Sequence, residues 1–216
     1  MNILTHPQPT TVAEQRLLLH DVTWDSYQAI GNALCDRAAL RMTYDRGSLE
    51  FMVTSSQHEI YKRWFSRLIE ALTEECNQPI VTAGNMTFQR EDLDRGLEAD
   101  DCFWIAQEPR MRGKLTWDPA IDPPPDLALE IEISRSALPR MSIYAALGVP
   151  EVWRFDGSTL RVELLQSDGT YAVAERSLAF PAIPVSEIVP FLQPSAELDS
   201  LSHLRSFRVW VREHLE

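Results

Sequence analysis

The chain has few of the residues that mark disulfide-rich, zinc-binding or membrane proteins. Its three cysteines, Cys35, Cys76 and Cys102, are scattered without CxxC spacing, so neither a disulfide framework nor a cysteine zinc site is predicted. No apolar run approaches the roughly 18 residues that a membrane helix requires. The N-terminus also lacks the basic segment and apolar core of a signal peptide. We therefore expect a cytoplasmic protein that is not bound to a membrane.

Basic residues are also scarce. The sequence holds 20 Lys and Arg against 32 Asp and Glu, which gives a net charge of −12 at pH 7. This balance disfavours non-specific attraction to nucleic-acid phosphates, although it is compatible with a local basic groove. The chain also lacks a P-loop, a dinucleotide-binding fingerprint and a nucleophile elbow, which argues against the enzyme classes that depend on these motifs.

The chain has the length and the apolar content of a folded domain. Hydrophobic residues make up 44% of its 216 residues, enough for a sizeable core. The sequence shows no internal repeat, low-complexity segment or linker. We expect a single domain over 1–216, with an N-terminal extension to about residue 35 and a C-terminal helix over about 199–215.

Apolar spacing and turn residues predict an α/β fold. Helices are predicted over 23–34, over 136–147 and from Ser55 or Ser56 onward, where Glu59 would complete a capping box. Residues up to about 19 are expected to be extended or frayed. Strands are predicted over 40–44 and 49–53, which flank the hairpin turn Asp45-Arg46-Gly47-Ser48, and over 80–88, 102–106, 127–133, 151–155, 160–165 and 171–173.

The segment 127–133 alternates apolar and polar residues, which is typical of a half-buried strand. Its polar face, which starts at Asp126, includes Glu130 and Glu132. Carboxylates about 6.6 Å apart on one strand face repel each other. This face is therefore either solvated and balanced by basic side chains, or it holds a metal ion. Asp126 is expected to cap the start of the strand or to make a structural contact.

Three segments, taken together in their order along the chain, form one extended sequence motif. They read RGLEADDCFWI over 95–105, PDLALEIEIS over 125–134 and RMSIYAALGVPEVW over 140–153. This order resembles the Uma-two family of endonucleases, within the PD-(D/E)XK superfamily, over roughly 40–165. The resemblance implies a restriction-endonuclease-like core with a mixed β-sheet flanked by helices. It also implies a Mg²⁺-dependent DNA endonuclease, with Mn²⁺ as an alternative ion.

The resemblance also implies the site residues. Asp100 stands at the first acidic position and Glu130 at the second, while Glu132 falls where the superfamily has its lysine. In this family the lysine looks displaced to the following helix, and Arg140 occupies that position here. Glu59 matches the place of an additional glutamate in such folds.

Strand geometry limits which groups can share one ion. Asp126 and Glu130 start about 13 Å apart, too far for a common metal, whereas Glu130 and Glu132 at about 6.6 Å could flank an ion together with Asp100. If the resemblance holds, the backbone carbonyl of Ile131 would be the third protein ligand, beside Asp100 and Glu130.

The arginine at position 140 leaves two hypotheses open, because arginine stays charged whereas lysine can act as a base. In an active DNA endonuclease, Arg140 would stabilise phosphate charge and Glu59 would orient water or a second ion. A homodimer would suit cleavage of both strands. In a catalytically silent relative, the fold would serve as a DNA-binding or protein-interaction module.

Two further features have alternative interpretations. Glu59, Arg63 and Arg67 follow i, i+4 spacing and could form an exposed salt-bridge row, while His58 is expected to be a surface or capping residue. The three cations within 110–114 could contact DNA or simply offset nearby acids.

Overall fold

The computed structural model describes residues 14–34, 37, 39–193 and 197–215. Cys35 and residues 1–13 of the expected extension lie outside this range. The strands are β1 Gln15–Leu19, β2 Leu40–Asp45, β3 Ser48–Val53, β4 Val81–Thr82, β5 Thr87–Arg90, β6 Arg95–Glu98, β7 Asp101–Trp104, β8 Leu127–Ile131, β9 Glu151–Phe155, β10 Leu160–Leu165 and β11 Tyr171–Ala174. The α-helices are α1 Trp24–Leu34, α2 Ser56–Glu75, α3 Glu108–Met111, α4 Arg140–Leu147, α5 Val189–Leu192 and α6 Ser200–Leu215.

The strands form two sheets. The first has the order β1-β3-β2-β6-β5 and is antiparallel throughout. The second has the order β11-β10-β9-β8-β7-β4 and is mixed, because β8 and β9 are parallel and α4 lies between them in the chain. The predicted class, an α/β fold of the restriction-endonuclease-like type, is confirmed. The separate antiparallel sheet is an addition that the sequence did not predict.

The largest core cluster packs α2 and α6 against the second sheet. An apolar stripe at helical spacing on α2 supplies Phe65, Leu68 and Leu72, all almost fully buried, and the aromatic rings of Phe65 and Phe155 meet edge to face at 5.2 Å. Each such side chain contributes about 1.5–3 kcal/mol on burial. The predicted C-terminal helix is observed as α6, which packs Phe207 and Val211 into this cluster.

Local signals placed several element boundaries correctly. The predicted hairpin joins β2 and β3 through Arg46 and Gly47, whose φ angles of 46° and 88° are those of a type I′ turn. Gly148 ends α4 in the left-handed conformation, with φ 77°. As expected for a structural contact, the Asp126 carboxylate accepts hydrogen bonds from the backbone N–H groups of Ile105 at 2.7 Å and Gln107 at 2.9 Å.

Other boundaries were wrong. The N-cap of α2 is Ser55, whose hydroxyl accepts the N–H of His58, so Glu59 lies one residue too late for the predicted capping box. The helix predicted over 136–147 begins only at Arg140. The preceding residues bond to the first sheet instead, because Ser136 and Ala137 donate hydrogen bonds to Glu50.

Two strand predictions also need correction. The segment 80–88 divides into β4 and β5, which belong to different sheets, and Gly84 lies between them with φ 64°. The residues up to about 19, which were expected to be extended or frayed, include the extended strand β1, which pairs with β3. Strand β8 ends at Ile131, so Glu132 lies beyond it. The strand is also buried on both faces rather than on one.

Candidate active site

The register of the second sheet brings the two predicted acidic positions together. Asp100 immediately precedes β7, and Glu130 is the penultimate residue of β8; these two strands are antiparallel neighbours, with Asp101 opposite Leu129. The Asp100 carboxylate accepts a hydrogen bond from the backbone N–H of Ile131 at 2.7 Å. Asp100 and Glu130 are 2% and 4% exposed, so both acids lie inside the protein.

Arg140 neutralises Glu130. Its Nε donates to Oε2 of Glu130 at 3.0 Å and its Nη2 to Oε1 at 2.5 Å, which is the two-point geometry of a strong guanidinium–carboxylate pair. Tyr144, one turn later on α4, donates its hydroxyl hydrogen to the same Oε1. The guanidinium also donates to the Thr43 hydroxyl and to the backbone carbonyl of Glu98, at 2.8 Å for the latter. Arg140 therefore connects the first sheet to the second.

His58 holds Asp100 from the other side. Its Nε2 lies 2.8 Å from Oδ1 of Asp100, and its Nδ1 lies 2.7 Å from Oε1 of Glu14. The expectation of a surface histidine was wrong, because His58 is fully buried. Its spacing to Tyr61, Phe65 and Leu68 is helical, which places His58 on the buried stripe of α2 and could have identified it. Glu14 carries no comparable signal.

The charges of this site influence one another. Burial opposes ionisation of His58, but the hydrogen bonds and charges of Asp100 and Glu14 outweigh it and raise the pKa of His58 to about 9. Burial likewise opposes ionisation of Asp100, and the hydrogen bond and charge of His58 hold the pKa of Asp100 below its ordinary value. Burial raises the pKa of Glu130, the positive charge of Arg140 opposes this rise, and the negative charge of Asp100 adds to it.

The remaining predicted site residues lie outside this cluster. The Glu132 carboxylate pairs with Arg154 at 2.6 Å, and Arg154 also binds Glu163 at 2.8 Å. The side chain of Glu59 is 45% exposed and lies 3.6 Å from the guanidinium of Arg41 on β2. Their assignment to catalysis stays a prediction.

The cations of 110–114 are largely engaged with neighbouring groups. Arg112 pairs with Glu108 at 2.7 Å, and Lys114 pairs with Asp122. Arg110 donates a hydrogen bond to a backbone carbonyl at 3.0 Å. These contacts favour the interpretation that the segment offsets nearby acids.

The donor set is chemically suited to a divalent ion. Mg²⁺ is usually held by one or two carboxylates together with water, and Asp100 and Glu130 supply two carboxylates. Within the described part of the chain, however, no three or more His, Cys, Asp or Glu side chains are grouped so that they could hold a metal. The Ile131 carbonyl, a backbone group, remains the predicted third ligand.

Space beside the site is small. A cavity of about 10 Å³ lies against Glu130, Glu132 and Arg140, and its other walls are Arg16, Met52, Ile131 and Ser136. This volume is about what one water molecule needs. A phosphodiester therefore reaches Glu130 only if some of these side chains move.

Fold and site together define a class: an α/β protein of the restriction-endonuclease type, with two acids from adjacent strands of a mixed sheet and a cation from the crossover helix. The model of the Uma2 family, described as "Putative restriction endonuclease", matches residues 24–199. The chain belongs to this family. No curated protein matches the chain in sequence.

Family membership supports a nuclease-like function in general terms. Within the described residues, the helices are too short or too polar to cross a bilayer.

Proposed function

We propose that this protein is a metal-dependent DNA endonuclease whose acidic pair is Asp100 and Glu130. The observation that carries the proposal is the convergence of these two acids with Arg140 at one buried place in a fold of the restriction-endonuclease type. Buried ionisable groups that perturb one another are more frequent at functional sites than elsewhere, because a fold retains them at a cost.

In this proposal Asp100, Glu130 and the carbonyl of Ile131 hold a divalent ion, Mg²⁺ or Mn²⁺. The ion, when bound, would supply charge stabilisation for the phosphate and an activated water. The chain's own part is to place the acids: His58 and the Ile131 N–H fix the Asp100 carboxylate, while Tyr144 donates to that of Glu130. Binding of DNA, a homodimeric assembly and a cytoplasmic location remain predictions.

The experiment is cleavage of supercoiled plasmid DNA with Mg²⁺ or Mn²⁺, by wild type, Asp100→Asn and Glu130→Gln. We expect nicking or linearisation by the wild type and a loss of at least about a hundredfold in both variants, the order that follows removal of a group stabilising transition-state charge. Asp168→Asn is the matched control, because Asp168 lies in an exposed turn between β10 and β11. No cleavage by the wild type at any metal concentration, or equal cleavage by all proteins, would refute the proposal.

A second candidate, a catalytically silent DNA-binding protein, is favoured by one observation. The Glu130 carboxylate already accepts two hydrogen bonds from Arg140 and one from the Tyr144 hydroxyl, and the cavity beside it has a volume of only about 10 Å³. This candidate predicts that fluorescently labelled DNA binds to the wild type without being cut, and that Asp100→Asn leaves the binding affinity unchanged.

A further inference from the structure

The position of Arg140 relative to Glu130 raises a question that the proposed function leaves open. Two contacts join the guanidinium to the carboxylate, at 3.0 and 2.5 Å, and both groups are at least nine-tenths buried. A carboxylate oxygen that binds Mg²⁺ does so at about 2.1 Å. A guanidinium and a divalent ion on the same buried carboxylate would repel each other strongly.

The guanidinium is fixed from several directions. Besides Glu130 of β8, it donates to the hydroxyl of Thr43 on β2 and to the carbonyl of Glu98 on β6. These partners belong to both sheets, so the guanidinium cannot leave Glu130 by a simple side-chain rotation without losing buried hydrogen bonds, each of which is costly to leave unmade.

A change of pH does not remove this charge either. An arginine stays protonated throughout the range in which proteins are folded, whereas a lysine can lose its proton when it is buried. The sequence therefore places a permanent positive charge beside Asp100 and Glu130.

We infer that the Arg140 guanidinium occupies the cation position of this site, so that Arg140 and a divalent metal compete for Glu130 and the wild type binds metal weakly. The inference rests on the proposed function in one respect, that Asp100 and Glu130 are the metal-binding acids. It adds that the chain itself carries a competitor, and that removing the competitor uncovers a strong metal site.

The test is titration of Mn²⁺ into the full chain, with bound and free Mn²⁺ measured by electron paramagnetic resonance and binding heat by calorimetry. The variants are Arg140→Gln, which removes the charge, and Arg140→Lys, which keeps a charge with a single-point contact. We expect Arg140→Gln to bind Mn²⁺ at least about a hundredfold more tightly than the wild type, because a unit positive charge within a few ångströms of a buried divalent ion opposes its binding by at least that factor. Arg140→Lys should lie between them.

Two controls locate the effect. The double variant Arg140→Gln with Glu130→Gln should lose the gained affinity. Arg205→Gln removes an arginine that is exposed on α6, and it should bind Mn²⁺ as the wild type does. Circular dichroism shows whether each variant is folded, and Arg140→Lys keeps the test decisive if Arg140→Gln does not fold.

The inference and the proposed function fail in different ways. Equal Mn²⁺ affinity in the wild type and in the folded Arg140 variants would overturn the inference, even if the wild type cleaves DNA. Tight Mn²⁺ binding by Arg140→Gln, with no DNA cleavage by the wild type or by Arg140→Lys, would support the inference and contradict the proposed nuclease function.

Discussion

At the scale of single residues, His58 shows how a buried charge is held. A neutral imidazole donates from one ring nitrogen, whereas the ring of His58 faces a carboxylate on each side, Glu14 at 2.7 Å and Asp100 at 2.8 Å. Two ionised acceptors are satisfied together only by the doubly protonated ring. Because the side chains of all three groups lie almost fully inside the protein, solvent does little to screen them.

Replacing His58 by alanine should therefore be strongly destabilising. His58→Ala leaves the carboxylates of Glu14 and Asp100 buried without their cation, which costs about 3–5 kcal/mol in other buried pairs. Urea denaturation measures this loss in the free energy of unfolding. The matched control is His20→Ala, since His20 is exposed and its replacement should change stability by no more than about 0.5 kcal/mol. Equal small effects in both variants would contradict the buried ion-pair description.

The difference in unfolding free energy between the wild type and His58→Ala should also depend on pH. The pKa of His58 in the folded protein, about 9, is raised above the ordinary value of about 6.5 expected in the unfolded chain. The stability that His58 contributes is thus fully present below about pH 6.5 and is lost as the pH rises through about 9. The difference in unfolding free energy between wild type and His58→Ala should shrink over that interval. A difference that stays constant or grows would show that His58 is neutral in the folded protein.

At the scale of elements, α1 lies on the first sheet through a close contact between Tyr27 and Gly96. The Tyr27 ring is fully buried and stacks on Tyr44 of β2, with centroids 4.7 Å apart. A β-carbon at Gly96 on β6 would overlap the Tyr27 hydroxyl and come within 3.0 Å of the ring carbon that bears it. Glycine at this position sets how closely the helix approaches the strand.

Gly96→Ala should consequently destabilise the protein by about 1–3 kcal/mol, the usual cost of forcing an extra carbon into a packed core. The double variant Gly96→Ala with Tyr27→Phe lacks the overlapping hydroxyl and should regain part of this loss. Tyr27→Phe alone serves as the reference, and thermal unfolding of the four proteins completes the cycle. If the two substitutions were simply additive, the contact would not be what limits the approach of α1.

Elements with strong local signals were the ones that sequence predicted well. The hairpin between β2 and β3, the apolar stripe of α2 and the glycine at the end of α4 depend on residues close in the chain. Strands β1 and β6 carry no such signal; β1 pairs with the distant β3, and β6 pairs with the distant β2 as well as with its neighbour β5. The alternation in β8 identified correctly which residues share a face. It did not predict that the face with Glu130 is buried, because that burial depends on Arg140, which neutralises the carboxylate.

The candidate site was predictable to a similar extent. Asp100, Glu130 and Arg140 were identified through a family motif, and the structure brings them together. The structure pairs Glu132 with Arg154 of β9 instead, and β8 ends one residue before Glu132. Helical spacing could place His58 on the buried stripe of α2, but its contact with Asp100 could be known only once the helix and the sheet were known to meet.

At the scale of the whole molecule, the segment that leads from β8 to α4 is held by the first sheet. Glu50 of β3, 2% exposed, accepts hydrogen bonds at 2.7 Å from Arg16, from the Ser136 hydroxyl and from the backbone N–H of Ala137. Arg16 in turn donates to the hydroxyl and the carbonyl of Ser134, at 2.9 and 3.0 Å. The position of Arg140 in the second sheet's crossover therefore depends on side chains of the first sheet.

This dependence predicts how a remote substitution would reach the site. Glu50→Gln replaces a carboxylate that accepts three donors with an amide that has one acceptor oxygen, so the segment 134–139 loses part of its attachment to the first sheet while the strands of the second sheet keep their own pairing. Hydrogen exchange followed by mass spectrometry should show faster exchange in peptides covering 134–147, with peptides of β9 and β10 unchanged, because such openings are local. Glu91→Gln, an exposed change in the turn that follows β5, should leave all peptides as in the wild type. Uniformly faster exchange across both sheets would instead mean that Glu50 contributes only to global stability, and that the first sheet does not position Arg140.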